Sequence, residues 1–300
     1  MSEAPEISVI IPTRNGERTL LELLDAVFGQ RCDETFEVLV IDTASTDRTL
    51  EIVAGFPARV HRIAKEEFSH SGTRNLGARL SRATRWLVFL NQDAVPTDSR
   101  WLANLVASMS AGPGLQAVHA AEVVRNGTAP YLSGCSSYVF HSIDAAGVHV
   151  IEPHVLERNA HLPRGQQRAL FPFATVCAMF DKAHFLAHPF DERLVWGEDL
   201  GWAVANSRAG FASGCTADAR VFHHHDYTPA ELRTIMEHTA RLYGEVFGWS
   251  TTADELLQEY ARPAAPTPNP APRSTWRRAL ATVAGAARRL VGAPREGPSS

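Results

Sequence analysis

Between residues 7 and 90 the chain repeats one pattern: a short apolar run stops abruptly at polar side chains, and a helix-period segment leads to the next run. The runs are Ile7–Ile11, Phe36–Ile41 and Trp86–Leu90, and Val60–Ile63 reads as a further strand between the second and third of them. Runs of this length, rich in β-branched residues and lacking alternation, read as strands buried on both faces. The first intervening segment, Arg18–Gly29, places Leu20, Leu23, Leu24, Val27 and Phe28 at helix spacing. A second helix is expected from about Arg48 to Ala54, behind Ser45-Thr46-Asp47, and a third over Gly72–Leu80. The order βαβαβαβ predicts an α/β fold with a mostly parallel central sheet and helices on both faces. In such sheets ligands bind in the crevice beyond the carboxyl ends of the strands, which is where the polar stops fall.

Past Pro96 the pattern predicts a helix through Trp101–Met109, strands near 116–124 and 175–181, and a helix over about Asp199–Ala209. Phe222-His223-His224-His225 reads as a strand end or loop, and Thr228-Pro229 opens a long helix to about Val246. Residues 251–272 hold a short helix and a Pro/Ala-rich connector. Beyond it, Trp276, Leu280, Val283, Ala287, Leu290 and Val291 recur at helix spacing beside paired arginines. From Arg273 on there are six Arg against Glu296, so this segment carries +5 while the rest carries −9 of the net −4. A basic amphipathic helix of this kind lies on anionic membrane surfaces. Its alternative is a helix packed on its own domain, or a plain basic tail.

The overall charge makes no case for nucleic-acid binding. No run of about 18 apolar residues suits a membrane span. The N-terminus has neither a basic nor an apolar signal region. The four cysteines (Cys32, Cys135, Cys177, Cys215) form no CxxC pair and read as reduced, packed thiols, so a cytoplasmic location is expected.

The polar stops carry the chemistry. Trp86–Leu90 ends in Asn91-Gln92-Asp93, where Asp93 can hold a hard divalent cation against a diphosphate. The first two strands deliver Pro12-Thr13-Arg14-Asn15-Gly16 and Asp42-Thr43-Ala44-Ser45-Thr46-Asp47 to the same edge. Asp42 suits a nucleobase imide or ribose hydroxyl, whereas Asp47 reads as a helix-cap acid. Arg74, in a loop entering a helix, suits a phosphate or a base edge. Glu198 and Asp199 open another helix, as acids stabilised by its dipole or as a general base for a hydroxyl acceptor. Trp196 and Trp202 beside them read as a stacking wall for a sugar or as core. In Val221-Phe222-His223-His224-His225, His223 and His225 share one side of an extended chain, and neutral imidazole suits Mn²⁺-like ions.

Taken in order, these residues resemble the family 2 glycosyltransferases of the GT-A (Rossmann-like) fold, and most of all their bacterial rhamnosyltransferase-like branch. The resemblance spans about residues 7–248. It rests on Ser8-Val-Ile-Ile-Pro-Thr-Arg-Asn15, Val40-Ile-Asp-Thr-Ala-Ser-Thr-Asp47, Gly72-Thr-Arg-Asn-Leu-Gly-Ala78, Phe89-Leu-Asn-Gln-Asp-Ala-Val-Pro96, Phe190-Asp-Glu192, Gly197-Glu-Asp-Leu200 and His223-His-His-Asp-Tyr227. It implies a catalytic domain over 1–250, followed by the 251–272 connector and the 273–300 basic tail.

By that resemblance Pro12, Thr13, Arg14, Asp42, Arg74, Gln92 and Asp93 line the nucleotide site. Asp93 matches the second acid of a D-x-D motif whose first position here is Asn91, which leaves Mn²⁺ and Mg²⁺ both open. Asp199, or Glu198 after it, matches the catalytic base, and His223 or His225 a late metal ligand. The implied activity is inverting transfer of a sugar from a nucleotide diphosphate, dTDP-rhamnose first and UDP-sugars next. The acceptor is a saccharide or a lipid-linked molecule of cell-surface polysaccharide synthesis. The enzyme would work on the inner face of the cell membrane if residues 273–300 bind it. A non-catalytic nucleotide-sugar or glycan-binding module of this fold, and a metal-dependent phosphohydrolase, are the competing readings.

Overall fold

A computed structural model describes residues 4–111, 114–123, 147–223, 225 and 227–261, with side chains through 259. The Pro/Ala-rich connector, the basic segment 273–300, Cys135 and His224 lie outside the described residues. So does the stretch 124–146, within the 125–170 span expected to face the acceptor. The chain divides into two units, one built from residues 1–125 and 133–223 and the other from 126–132 and 224–300.

The first unit is the α/β body. Its strands are β1 (Ile7–Thr13), β2 (Phe36–Thr43), β3 (Arg59–Ile63), β4 (Trp86–Leu90), β5 (Val95–Pro96), β6 (Leu115–Val123), β7 (Val148–Ile151), β8 (Cys177–Asp181) and β9 (Ala212–Phe222). They form one sheet in the order β3-β2-β1-β4-β8-β6-β9-β5, with β7 on β9. The four predicted strands make its parallel half, β3-β2-β1-β4. Beyond β4 the sheet is mixed: β8 runs antiparallel to β4 and β6, and β6 and β9 are parallel.

Helices cover both faces. Ile7, Val9 and Ile11 point to one side with Val38, Val40, Val88 and Leu90, where Leu20, Leu23, Leu24 and Val27 of α1 (Leu20–Phe28) complete the core. Val53 of α2 (Thr49–Val53) and Trp101, Leu102 and Leu105 of α4 (Trp101–Ala111) join them. Ile10 points to the other side, against α3 (His70–Leu80). There a Cβ on Gly77 would lie 2.5 Å from Ile10 Cγ2, so the absence of a side chain sets how closely α3 seats on the sheet. Phe89, Phe180, Phe185, Phe190 and Trp202 pack on this side in edge-to-face and tilted contacts, with ring centroids 4.9–5.7 Å apart. Phe185 is on α7 (Lys182–Ala187) and Trp202 on α8 (Glu198–Arg208); two short helices, α5 (Val155–Arg158) and α6 (Arg164–Ala169), precede them in the chain.

Caps decide where these helices begin. The Ser69 side chain accepts from Gly72 N–H at 2.9 Å, so α3 starts at His70, two residues before the sequence expectation. Asp47 accepts from Thr49 N–H at 3.0 Å and Thr49 Oγ1 at 2.5 Å, one residue ahead of Arg48, which holds the N-cap position of α2. Burial opposes, and these hydrogen bonds outweigh, so its carboxyl lies below the usual range. The sequence gives no sign of strands β5 and β7; for β9 it marks only the end at Phe222. Ser213, Gly214, Cys215 and Thr216 in β9 are small and lack a β-branched run, yet all four are buried. Pairing with β6, β7 and β5 holds β9 extended where propensity does not.

In the second unit, α9 (Pro229–Phe247) begins with a capping box between Thr228 and Glu231 and stops at Gly248. α10 (Ala253–Ala261) is the expected short helix, tied to α9 by Arg233 Nη2 on Asp254 Oδ1 at 2.8 Å. His225 stacks with Tyr227 at 5.7 Å.

Candidate active site

The turn Asn91-Gln92-Asp93 after β4 is the hub of the site. It is closed by Ala94 N–H on Asn91 C=O at 3.0 Å, and Asn91 N–H donates to Val176 C=O at 2.9 Å. Its three side chains reach three different networks.

Gln92 reaches the loop after β1. Its amide oxygen accepts from Thr13 Oγ1 at 2.6 Å and Arg14 N–H at 2.9 Å, and its amide nitrogen donates to Arg14 C=O at 3.1 Å. Thr13 lies in register with Asp42, so both stand at the same end of adjacent parallel strands. The loops beyond them brace each other: Ser45 Oγ accepts from Asn15 N–H at 2.9 Å, and Asn15 Oδ1 accepts from Thr46 N–H at 2.9 Å. Asn15 and Ala44 both sit at φ 47°, a costly left-handed conformation of order 1 kcal/mol each that such bracing holds in place.

Asp42 has no exposed surface. Its Oδ2 accepts from Ser45 N–H at 3.2 Å and lies 3.5 Å from Arg62 Nε. Its Oδ1 has no hydrogen-bond partner among the described residues. A buried carboxylate oxygen without a donor is costly unless a ligand supplies one.

Asn91 reaches the helix-borne charges. Arg74 Nη2 donates to Asn91 Oδ1 at 2.9 Å, and Arg74 Nη1 donates to Glu198 Oε1 at 2.8 Å and to His70 C=O at 3.2 Å. Side chains of Arg74 and Glu198 are only 6% and 7% exposed, so this is a buried ion pair and not a solvated arginine. Thr175 links the two acids: its hydroxyl donates to Glu198 at 3.3 Å and its N–H to Asp199 Oδ2 at 3.1 Å. Gly197, at φ 70°, makes the left-handed corner from which α8 starts with both acids in its first turn. Burial, and then the charge of Glu198, push the Asp199 carboxyl up to about 6; the N–H donors of Leu200 and Thr175 act in the other direction.

Asp93 reaches the end of β9. Its Oδ1 lies 3.6 Å from His223 Nε2, and His223 Nδ1 lies 2.9 Å from Glu122 Oε2 on β6. Carboxylate oxygen and imidazole nitrogen at this spacing are a donor set for a divalent cation. The second carboxylate behind the imidazole is the usual partner of a ligating histidine. The residues therefore fit a metal ion at Asp93 and His223.

Of the acceptor-wall candidates, Trp202 is core: it is 5% exposed within the aromatic cluster and donates Nε1–H to His188 C=O at 2.8 Å. Trp196 is half-buried and meets the His70 ring edge-on at 6.4 Å. Val195 beside it is 76% exposed. Sequence reasoning missed Glu122, Thr175 and His70. An acid closing the strand near 116–124 was a readable signal for Glu122, whereas nothing local marks Thr175.

The fold is the GT-A fold found in glycosyltransferases. A mannosyltransferase from Pyrobaculum calidifontis, solved with GDP-mannose and Mn²⁺, shares this fold at a TM-score of 0.57. It is 18% identical, over 98% of this chain and 77% of its own. Glucosyl-3-phosphoglycerate synthase from Mycobacterium tuberculosis, solved with Mg²⁺ and UDP, gives 0.56 at 18% identity, over 81% of this chain and 80% of its own. Residues 8–147 match the family described as Glycosyl transferase family 2. The chain is rhamnosyltransferase-like: the O-antigen chain rhamnosyltransferase RfbN of Salmonella typhimurium (strain LT2) is 26% identical over 227 residues, 75% of this chain and 68% of its own.

Proposed function

We propose that this glycosyltransferase is an inverting enzyme that moves a sugar from a nucleotide diphosphate to a saccharide or lipid-linked acceptor of cell-surface polysaccharide synthesis. dTDP-rhamnose is the first donor to try and a UDP-sugar the next. The observation that carries the reading is the Asn91-Gln92-Asp93 turn, whose side chains join the β1 loop, the Arg74–Glu198 pair and His223. The rhamnosyltransferase relative supports the donor sugar.

In this reading the β1 and β2 loops and Gln92 form the nucleotide cradle. The unpartnered Asp42 oxygen accepts from a base imide. Asp93, with His223 or His225 (two residues further along the chain), holds Mn²⁺ or Mg²⁺. When bound, the cation neutralises charge on the departing diphosphate. Asp199 takes the proton of the acceptor hydroxyl, whose oxygen then attacks the anomeric carbon opposite the diphosphate. A carboxyl raised to about 6 is both ionised at neutral pH and basic enough for this. Glu198 is engaged by Arg74 and Thr175, so it orients and tunes and does not accept the proton. Trp196 is the remaining candidate for the acceptor side.

Catalysis is assigned to residues 1–250, with 251–272 as connector and 273–300 as the surface-binding segment. No helix among the described residues is long and apolar enough to cross a membrane.

A thermal-shift screen of nucleotide sugars with and without Mn²⁺ tests the proposal. One nucleotide sugar should raise the melting temperature with Mn²⁺ and much less without it. If no nucleotide diphosphate or nucleotide sugar raises it in either condition, the reading is wrong.

A further inference from the structure

Glu122 lies outside every motif that points to sugar transfer, yet it contacts the imidazole that faces Asp93. We propose that Glu122 is a positioning residue that fixes His223 as a nitrogen ligand at the Asp93 site. The inference rests on the metal reading above and deepens it.

Three strands supply the three groups. Asp93 follows β4, Glu122 lies near the end of β6, and His223 follows β9. β6 and β9 are parallel, with Glu122 opposite Val221 and Val123 opposite Phe222. The ladder runs one step further: His223 N–H donates to Val123 C=O at 3.1 Å. The backbone of His223 is thus fixed relative to Glu122 before any ligand arrives. Side chains of His223 and Glu122 are 2% and 3% exposed, so water does not compete for their contact.

A carboxylate can only accept a hydrogen bond, so Glu122 Oε2 at 2.9 Å requires the proton on His223 Nδ1. A neutral imidazole carries one N–H, and its lone pair then lies on Nε2, the nitrogen 3.6 Å from Asp93 Oδ1. The contact selects the tautomer whose lone pair faces the Asp93 carboxylate. The negative charge behind the ring also strengthens Nε2 as a donor to a cation. This fixes a role for His223 that the sequence, with its run of imidazoles, leaves open.

The test is Glu122→Gln on the full chain, which keeps the shape and removes the charge and the obligate acceptor. Two measurements are made. Mn²⁺ titration, followed by the electron paramagnetic resonance signal of free Mn²⁺ with and without thymidine diphosphate, should show affinity about 10- to 100-fold weaker than wild type. Long-range ¹⁵N–¹H correlation of the ¹⁵N-histidine protein without metal, at mildly alkaline pH, should show His223 protonated on Nδ1 in the wild type. In the variant it should be a tautomer mixture. Glu122→Asp, which keeps the charge, should recover part of the affinity, and it serves as the variant if the glutamine protein fails to fold. Wild-type protein that binds no Mn²⁺ in either condition overturns the metal reading itself. Wild-type protein that binds Mn²⁺ while Glu122→Gln binds it equally, or a wild-type His223 protonated on Nε2, overturns this inference alone.

Discussion

Removing the charge of Glu198 probes the centre of the site. Its Oε1 lies 2.8 Å from Arg74 Nη1 and both side chains are nearly sealed from solvent. Charge centres about 4 Å apart attract by ~4 kcal/mol at an effective dielectric of about 20. In Glu198→Ala that attraction is lost while Arg74 stays buried, with Asn91 Oδ1 and His70 C=O as its remaining acceptors. Breaking one side of a buried pair costs about 3–5 kcal/mol, so a loss of ~3 kcal/mol is expected in urea unfolding.

The double variant Arg74→Met/Glu198→Leu should recover most of it, because the desolvation of both charges disappears together. The same change acts on catalysis by a separate route. Glu198 is the second cause that raises the Asp199 carboxyl, so Glu198→Gln should move the acid limb of the rate–pH profile to lower pH. A stability loss below about 1 kcal/mol, within the range of surface pairs, together with an unmoved acid limb, would refute this account of the ion pair.

Asp199→Asn should abolish transfer while leaving donor affinity nearly intact in calorimetric titration; a variant as active as wild type removes Asp199 as base. In the folded protein Asp199 holds its proton up to about pH 6, against 3.8 in the unfolded chain. Its contribution is therefore neutral below about pH 4 and costs stability as pH rises towards 6, so Asp199→Asn should be the more stable protein at pH 7, by at most ~3 kcal/mol. Wild-type activity should rise with pH through a midpoint near 6. His223→Ala should raise the Mn²⁺ concentration needed for activity by tenfold or more, and His225→Ala in parallel tells whether the second imidazole shares the ion; metal dependence unchanged in both would end the histidine reading. Gly77→Ala forces a methyl to 2.5 Å from Ile10 Cγ2 and should cost about 1–3 kcal/mol in thermal unfolding, whereas a neutral result would mean α3 can lift off the sheet freely. Deleting 273–300 should leave transfer to a soluble acceptor intact and reduce sedimentation with anionic liposomes, and unchanged sedimentation would exclude that segment as the membrane contact.

Much of this protein is written locally in its sequence. β1, β2 and β4 are legible because β-branched and aromatic runs fix an extended backbone within a few residues. α1 is legible because its apolar side chains repeat at the helix period. For the same reason Asp42, Asp93 and Asp199 could be placed at strand or helix ends before any contact was known. Other features depend on residues far apart in the chain. The small residues of β9 become a strand only because β6, β5 and β7 offer them hydrogen bonds. Trp202, at the same helical position, could have been wall or core, and the aromatic cluster from β4, β8 and α7 decided for core. The tie of Arg74 to Glu198, 124 residues away, and of His223 to Glu122, 101 residues away, leaves no periodic trace. Periodicity reports which way a side chain points from its own backbone; sheet register decides what it meets there, and that is fixed only when the strands pair.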